Sequence, residues 1–189
     1  MLTFGRLVTA PFIGYLIIKD QVPFALGLFV AAGVSDALDG YIARRYNMKS
    51  FLGSIIDPAA DKALMTILTV SLAYKGLLPV PLAGLILGRD AGLVISAFYY
   101  RYISLPEPKT FARYWDFSIT SAEVHPTQIS KINTALQLAL MGFSLTEPVF
   151  GIPGSTALVG LQWLVGGTTI WSGLSYVFSK DAVKILHKK

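Results

Sequence analysis

The chain has 189 residues, 53% hydrophobic and 14% charged, with a net charge of +5; its mean hydropathy of +0.58 argues against a soluble globular domain and for a membrane-embedded one. The absence of cysteine excludes disulfides, thiolate metal sites and thiol nucleophiles. Any metal must be held by oxygen or by the two histidines, His125 and His187.

A helix needs roughly 20 apolar residues to cross a bilayer. Hydrophobic segments at about 4–19, 22–45, 56–75, 78–102, 126–147 and 154–179 therefore predict an all-α bundle of six transmembrane helices. The first segment follows Met1-Leu2-Thr3 almost at once, with no cleavable signal in view, and any targeting presequence is expected to lie outside this chain. Short turns at Lys19–Pro23, Lys75–Pro79 and Glu147–Gly154 separate most segments. The connection from Tyr102 to about Pro126 is longer, and its length suggests function.

Alternating spans gather Arg6, Arg44, Arg45, Lys49, Arg101, Lys109, Arg113, Lys180, Lys184, Lys188 and Lys189 on one side, against Lys19 and Lys75 on the other. That asymmetry predicts both termini inside. No internal repeat or soluble domain interrupts the pattern, so residues 1–189 are expected to form one membrane domain. No nucleic-acid partner is expected.

Within this apolar chain, acidic and small residues recur at fixed gaps: Asp36-x₂-Asp39-Gly40-x₂-Ala43-Arg44-x₈-Gly53-x₃-Asp57-x₃-Asp61. Residues three, four and seven apart share a helix face, so Asp36, Asp39, Gly40 and Ala43 form one stripe and Gly53, Asp57 and Asp61 another. A short basic turn joins the two stripes and lets them face each other as a cage of four carboxylates. On insertion scales each central Asp costs roughly 2.5–3.5 kcal/mol, which divalent cations can offset. Oxygen donors select hard ions, Mg²⁺, Mn²⁺ or Ca²⁺. Separate causes could produce parts of the pattern: Asp57 as a helix N-cap before Pro58, the glycines as packing residues, Arg44 as a basic flank and Lys62 as a partner for a carboxylate. Together they do not explain the whole spacing.

The string resembles the signature of the CDP-alcohol phosphatidyltransferases and matches it at every specified position. The resemblance implies an integral membrane enzyme that transfers a phosphatidyl or related group from a CDP-linked donor and releases CMP. It further implies that Asp36, Asp39 and Asp57 hold two divalent metal ions on the donor diphosphate, with Asp61 as general base and an additional metal ligand. Gly40, Ala43 and Gly53 then border the nucleotide, with Asp36, Arg44, Thr3 and Arg6 also on the donor. The general base fits the chemistry independently, because an attacking alcohol must lose its proton.

Beyond the signature, Leu2-Thr3-x₂-Arg6, Pro79-Val80-Pro81-Leu82, Arg89-Asp90, Tyr100-Arg101-Tyr102 with Leu105-Pro106-x-Pro108-Lys109-Thr110, and Pro126-Thr127-x₂-Ser130-Lys131-x-Asn133-Thr134 look similar to the family's eukaryotic-type, CMP-forming cardiolipin synthases. That implies CDP-diacylglycerol as donor, phosphatidylglycerol as acceptor, a mitochondrial inner-membrane location with the site on the matrix side, and a homodimer among membrane lipids. Arg89 and Lys131 are the expected phosphate-binding cations of the acceptor pocket, with His125 beside the headgroup. Each has an alternative: Arg6 as a flank, Arg89 paired to Asp90, Lys131 snorkelling to the interface, His125 as a solvated loop residue. Two other functions fit less of the pattern. A phosphatidylglycerophosphate synthase would share the signature and use glycerol 3-phosphate, whereas a cation transporter or channel would use the carboxylates and leave the small residues without a role.

Overall fold

The structure, a computed structural model, describes residues 2–45, 51–104, 122–124, 128–178 and 183–185. Among these it forms six helices: α1 (Leu2–Ile18), α2 (Val22–Arg45), α3 (Phe51–Tyr74), α4 (Val80–Ser104), α5 (Gln128–Phe150) and α6 (Ser155–Phe178). The all-α expectation needs one small amendment. Strands β1 (Ala122–Val124) and β2 (Val183–Ile185) pair antiparallel, with Glu123 opposite Lys184 in register.

The third segment differs most from its expected range. Helix α3 begins at Phe51, so Asp57 and Pro58 lie within it and the N-cap reading of Asp57 is overturned. Phe51, Leu52, Ile55 and Ile56 recur at helical spacing, but Asp57-Pro58 and Asp61-Lys62 interrupt the apolar run, so a hydropathy reading starts the segment too late.

The helices follow one another round a ring, α1–α2–α5–α6–α4–α3, and α3 also touches α5 across the middle. Helix α3 therefore meets α1, α4 and α5, which makes it central to the bundle. Its buried face, Leu64, Met65, Leu68 and Leu72, steps by three and four residues and packs with Ala10, Ile13 and Ile17 of α1 and with Leu140, Met141 and Leu145 of α5. Ala10 and Gly14 of α1 lie four apart on a buried face. A methyl group at Gly14 would stand 2.6 Å from Ile67 Cγ2 and 2.9 Å from Ser71 Oγ of α3. The missing side chain is what allows the two helices to cross so closely.

The turns are set by backbone chemistry. At the end of α3, Gly76 adopts φ 72°; its amide donates to the Ala73 carbonyl and the Leu77 amide donates to that of Leu72, a Schellman closure. Helix α1 closes in the same way, with Asp20 at φ 61° in the position of the glycine. Asp20 also pairs with Lys75 at 2.5 Å, which places the α1–α2 and α3–α4 turns at one end of the bundle. The β1–β2 pairing places the α4–α5 connection and the C-terminal segment together. These groupings agree with those given by the charge asymmetry.

The core is apolar, but large apolar side chains also lie on the surface and several polar ones are buried. Phe24, Trp163 and Trp171 are 70%, 79% and 66% exposed, while Thr69, Asp90, Ser130, Asn133, Gln137, Ser144, Thr169 and Ser172 are buried. Two stretches among the described residues, Val22–Ile42 and Val80–Ile103, are long and apolar enough to cross a membrane by length and composition. The buried face of α5 is polar over Ser130, Asn133 and Gln137 and mostly apolar beyond, from Leu140 to Leu145. Asn133 Oδ1 accepts from Thr168 Oγ1 at 2.8 Å and from Thr169 Oγ1 at 3.0 Å, and Gln137 Nε2 donates to Thr169 at 3.3 Å. These bonds tie α5 to α6 where the apolar packing thins.

Candidate active site

Asp36 of α2 and Asp61 of α3 line one groove of about 670 Å³, whose third wall is α5. They are its lining residues nearest the α2–α3 connection, with Thr134 beside them on α5. Away from that end the lining is almost wholly apolar: Leu26, Phe29, Val30 and Val34 on α2, Leu64 and Met65 on α3, Leu138, Ala139 and Phe143 on α5. Small residues keep it open, since a methyl group added at Gly33 would meet nothing within 4 Å, while one at Gly142 would stand 3.4 Å from Phe29. The site thus joins a carboxylate end to an apolar trough.

The donor chemistry fits hard divalent ions. Two described carboxylates share the groove, and Asp39 and Asp57 lie one helical turn from Asp36 and Asp61 on the same helices. Among the described residues no three potential ligands gather; the side chains of Asp39 and Asp57 lie outside the described ones. So do those of Thr3, Arg6, Ala43 and Arg44 and the surroundings of Gly53, while His125 lies outside the described residues altogether. Gly40 is half-buried on α2, one turn beyond Asp36, as the stripe requires.

The second polar centre lies where α3, α4, α5 and α6 meet. Arg89 Nη1 donates to Asp90 Oδ1 at 2.7 Å, and Arg89 Nη2 donates to Ser130 Oγ at 2.5 Å and to Ser172 Oγ at 2.9 Å. Lys62 Nζ reaches the same Asp90 oxygen at 2.8 Å. The alternatives raised for Arg89 and Lys62, each as a carboxylate's partner, therefore describe their actual contacts. Arg89 Nε is buried without a hydrogen-bond partner, so the guanidinium retains an unused donor. Lys131 is exposed on α5, one residue beyond Ser130.

Sequence reading singled out neither Asp90 nor Gly14 as a site or packing residue. Their signals were present: an Arg-Asp pair within an apolar helix, and two small residues four apart in α1.

The model of one protein family, described as CDP-alcohol phosphatidyltransferase, matches residues 1–173. The chain belongs to the CDP-alcohol phosphatidyltransferase family. Among curated CDP-alcohol phosphatidyltransferases and their fusions, it is 49% identical over 188 residues to the cardiolipin synthase (CMP-forming)/mitochondrial hydrolase fusion protein of Schizosaccharomyces pombe, covering 100% of this chain and 32% of that protein. It is 45% identical over 188 residues to the cardiolipin synthase (CMP-forming) of Homo sapiens, covering 98% of this chain and 62% of that protein. With the chloroplastic CDP-diacylglycerol–glycerol-3-phosphate 3-phosphatidyltransferase 1 of Oryza sativa subsp. japonica the identity is 36% over 181 residues, covering 93% of this chain and 54% of that protein. The chain thus spans between about a third and two thirds of the length of these relatives.

Proposed function

We propose that this chain is a membrane-embedded phosphatidyltransferase that moves the phosphatidyl group of CDP-diacylglycerol onto phosphatidylglycerol, forming cardiolipin and CMP. The observation that carries the reading is the groove, with Asp36 and Asp61 at one end and apolar side chains along α2 and α5 beyond them. Such a shape suits a substrate with a charged diphosphate head and a hydrocarbon tail. The names of the Schizosaccharomyces pombe and human relatives, both cardiolipin synthase (CMP-forming), support the same products.

In the proposed reaction a hydroxyl of phosphatidylglycerol attacks the phosphorus of the phosphatidyl group. Its proton passes to Asp61, and the phosphoanhydride bond breaks with its electron pair leaving on CMP. Two divalent ions held by Asp36, Asp39, Asp57 and Asp61 would neutralise the diphosphate and stabilise the departing CMP. Arg89 and Lys131 supply the counter-charge for the acceptor phosphate, Arg89 through its unused donor. Gly40, Ala43 and Gly53 leave room for the nucleotide, and Thr3, Arg6 and Arg44 contact the donor in the same reading. Six membrane spans, an inner-membrane location with a matrix-side site, and a homodimer complete this proposal. The exposed apolar belt, with Trp163 and Trp171 on α6, supports burial of the bundle in lipid.

The test is CMP release by the purified chain with CDP-diacylglycerol and Mg²⁺ or Mn²⁺, supplied in turn with phosphatidylglycerol and with glycerol 3-phosphate. Turnover with phosphatidylglycerol is expected; turnover with glycerol 3-phosphate alone would reassign the acceptor to that of the rice relative. A second expectation concerns the trough. Ala139→Phe should raise KM for a long-chain donor roughly tenfold or more, by filling space that a tail requires, and leave a short-chain donor nearly unaffected.

A further inference from the structure

Lys62 follows Asp61 directly on α3, and successive helical residues point about 100° apart at 3.6 residues per turn. Asp61 accordingly lines the groove shared with α2 and α5, while Lys62 is drawn to α4, where Asp90 Oδ1 holds its ammonium group at 2.8 Å. Asp90 is itself fixed. Its side chain is 10% exposed, and the same oxygen takes Arg89 Nη1 at 2.7 Å. Arg89, 4% exposed, is anchored by Ser130 of α5 and Ser172 of α6. The chain of contacts runs from α6 and α5 through Arg89 and Asp90 to Lys62, and ends one residue from the proposed base.

A buried ion pair is weak evidence of stabilisation, because desolvation offsets much of the attraction. This cluster places two cations on one carboxylate oxygen, an arrangement that does not optimise pairing. Its geometric effect is sharper: a tie at position 62 restrains rotation of α3 about its axis at the turn that aims Asp61. A displacement of about 1 Å at a reacting group can reduce a rate on the order of 100-fold.

We propose that Asp90 is a positioning residue for phosphatidyl transfer, holding Lys62 from α4 so that Asp61 faces the acceptor hydroxyl. The proposal rests on the reading of Asp61 as general base. Arg89 acts here as the brace that keeps Asp90 in place.

The experiment uses the full chain in detergent micelles and measures CMP release as a function of CDP-diacylglycerol and of phosphatidylglycerol for Asp90→Asn, Lys62→Met, Lys62→Arg and the double variant Asp90→Asn/Lys62→Met. Asp90→Asn and Lys62→Met are each expected to lower kcat roughly 10- to 100-fold, with both KM values within about twofold of the parent. The double variant should fall no further than the worse single one, because both break the same tie. Lys62→Arg, which can reach the same oxygen, should keep most of kcat. An effect of Lys62 charge alone would spare Asp90→Asn, where that charge remains, and would overturn the proposal. So would losses that multiply in the double variant, or losses confined to KM.

If Asp90→Asn does not fold, Lys62→Met carries the test, since Lys62 is 38% exposed and its removal leaves Asp90 paired to Arg89. Retained kcat in that variant overturns the inference and leaves the functional reading standing. Ser172→Ala removes one of the two hydroxyls that anchor Arg89 and should lower kcat less than Lys62→Met does, since Ser130 and Asp90 still hold the guanidinium; a kcat loss there larger than that of Lys62→Met would move the effect to Arg89 and overturn the proposal. An unmodified chain that releases no CMP with either acceptor overturns the functional reading and this inference together.

Discussion

Asp61→Asn is expected to lower turnover by at least about 10²-fold, the lower end of what a positioned general base contributes, while CDP-diacylglycerol still binds. Asparagine keeps the size and hydrogen-bonding outline of the side chain but cannot accept and hold the proton of the attacking hydroxyl. Asp36→Asn should behave differently. Asp36 lies across the groove on α2, and its proposed work is on the donor's diphosphate, so its loss should weaken metal-dependent donor binding as well as turnover. Titration of each variant with CDP-diacylglycerol, with and without Mg²⁺, beside a CMP-release assay, separates the two. Near-normal turnover in Asp61→Asn would remove it as the base, and equal donor affinity in Asp36→Asn would remove it from the diphosphate site.

The two helix faces that carry these aspartates were legible in the sequence because they follow from local spacing. The intervals between Asp36, Asp39 and Gly40, and between Gly53, Asp57 and Asp61, define helix faces without any tertiary information. Helices α2 and α6 begin and end within a residue or so of the hydropathy segments, since a bilayer-length apolar run leaves few alternatives. Contacts between distant segments were not legible. That Lys62 and Arg89 would share one oxygen of Asp90 depends on how α3 and α4 rotate against each other, and Ser130 and Ser172 join them only through the packing of α5 and α6. The N-cap alternative for Asp57 failed for a related reason: its local signal, Asp before Pro, is genuine, but α3 continues back to Phe51. The polar cluster around Arg89 was the hardest part to foresee. It combines residues from four helices, whereas the aspartate signature occupies two.

The same methyl group added at two helical glycines should shift stability in opposite directions. At Gly14 it would come within 2.6 Å of Ile67 Cγ2 and 2.9 Å of Ser71 Oγ, closer than real side-chain contacts permit. Both neighbours are on α3 and branch or bond near the backbone, so α1 must move away. Overpacking of this kind typically costs about 1–3 kcal/mol, and Gly14→Leu, with three more carbons at the crossing, should prevent α1 from docking. At Gly27 of α2 the added methyl meets nothing within 4 Å, and Gly27→Ala should stabilise the helix by up to about 1 kcal/mol through the higher helix propensity of alanine. Thermal unfolding of the two alanine variants in one detergent provides the comparison, with a lower Tm expected for Gly14→Ala and an equal or higher one for Gly27→Ala. The effect of Gly14 should extend to activity, because α3 carries Asp61 and packs on α1 through this crossing. If Gly14→Leu retained the Tm of the unmodified chain, the close α1–α3 approach would not be the contact that seats the central helix.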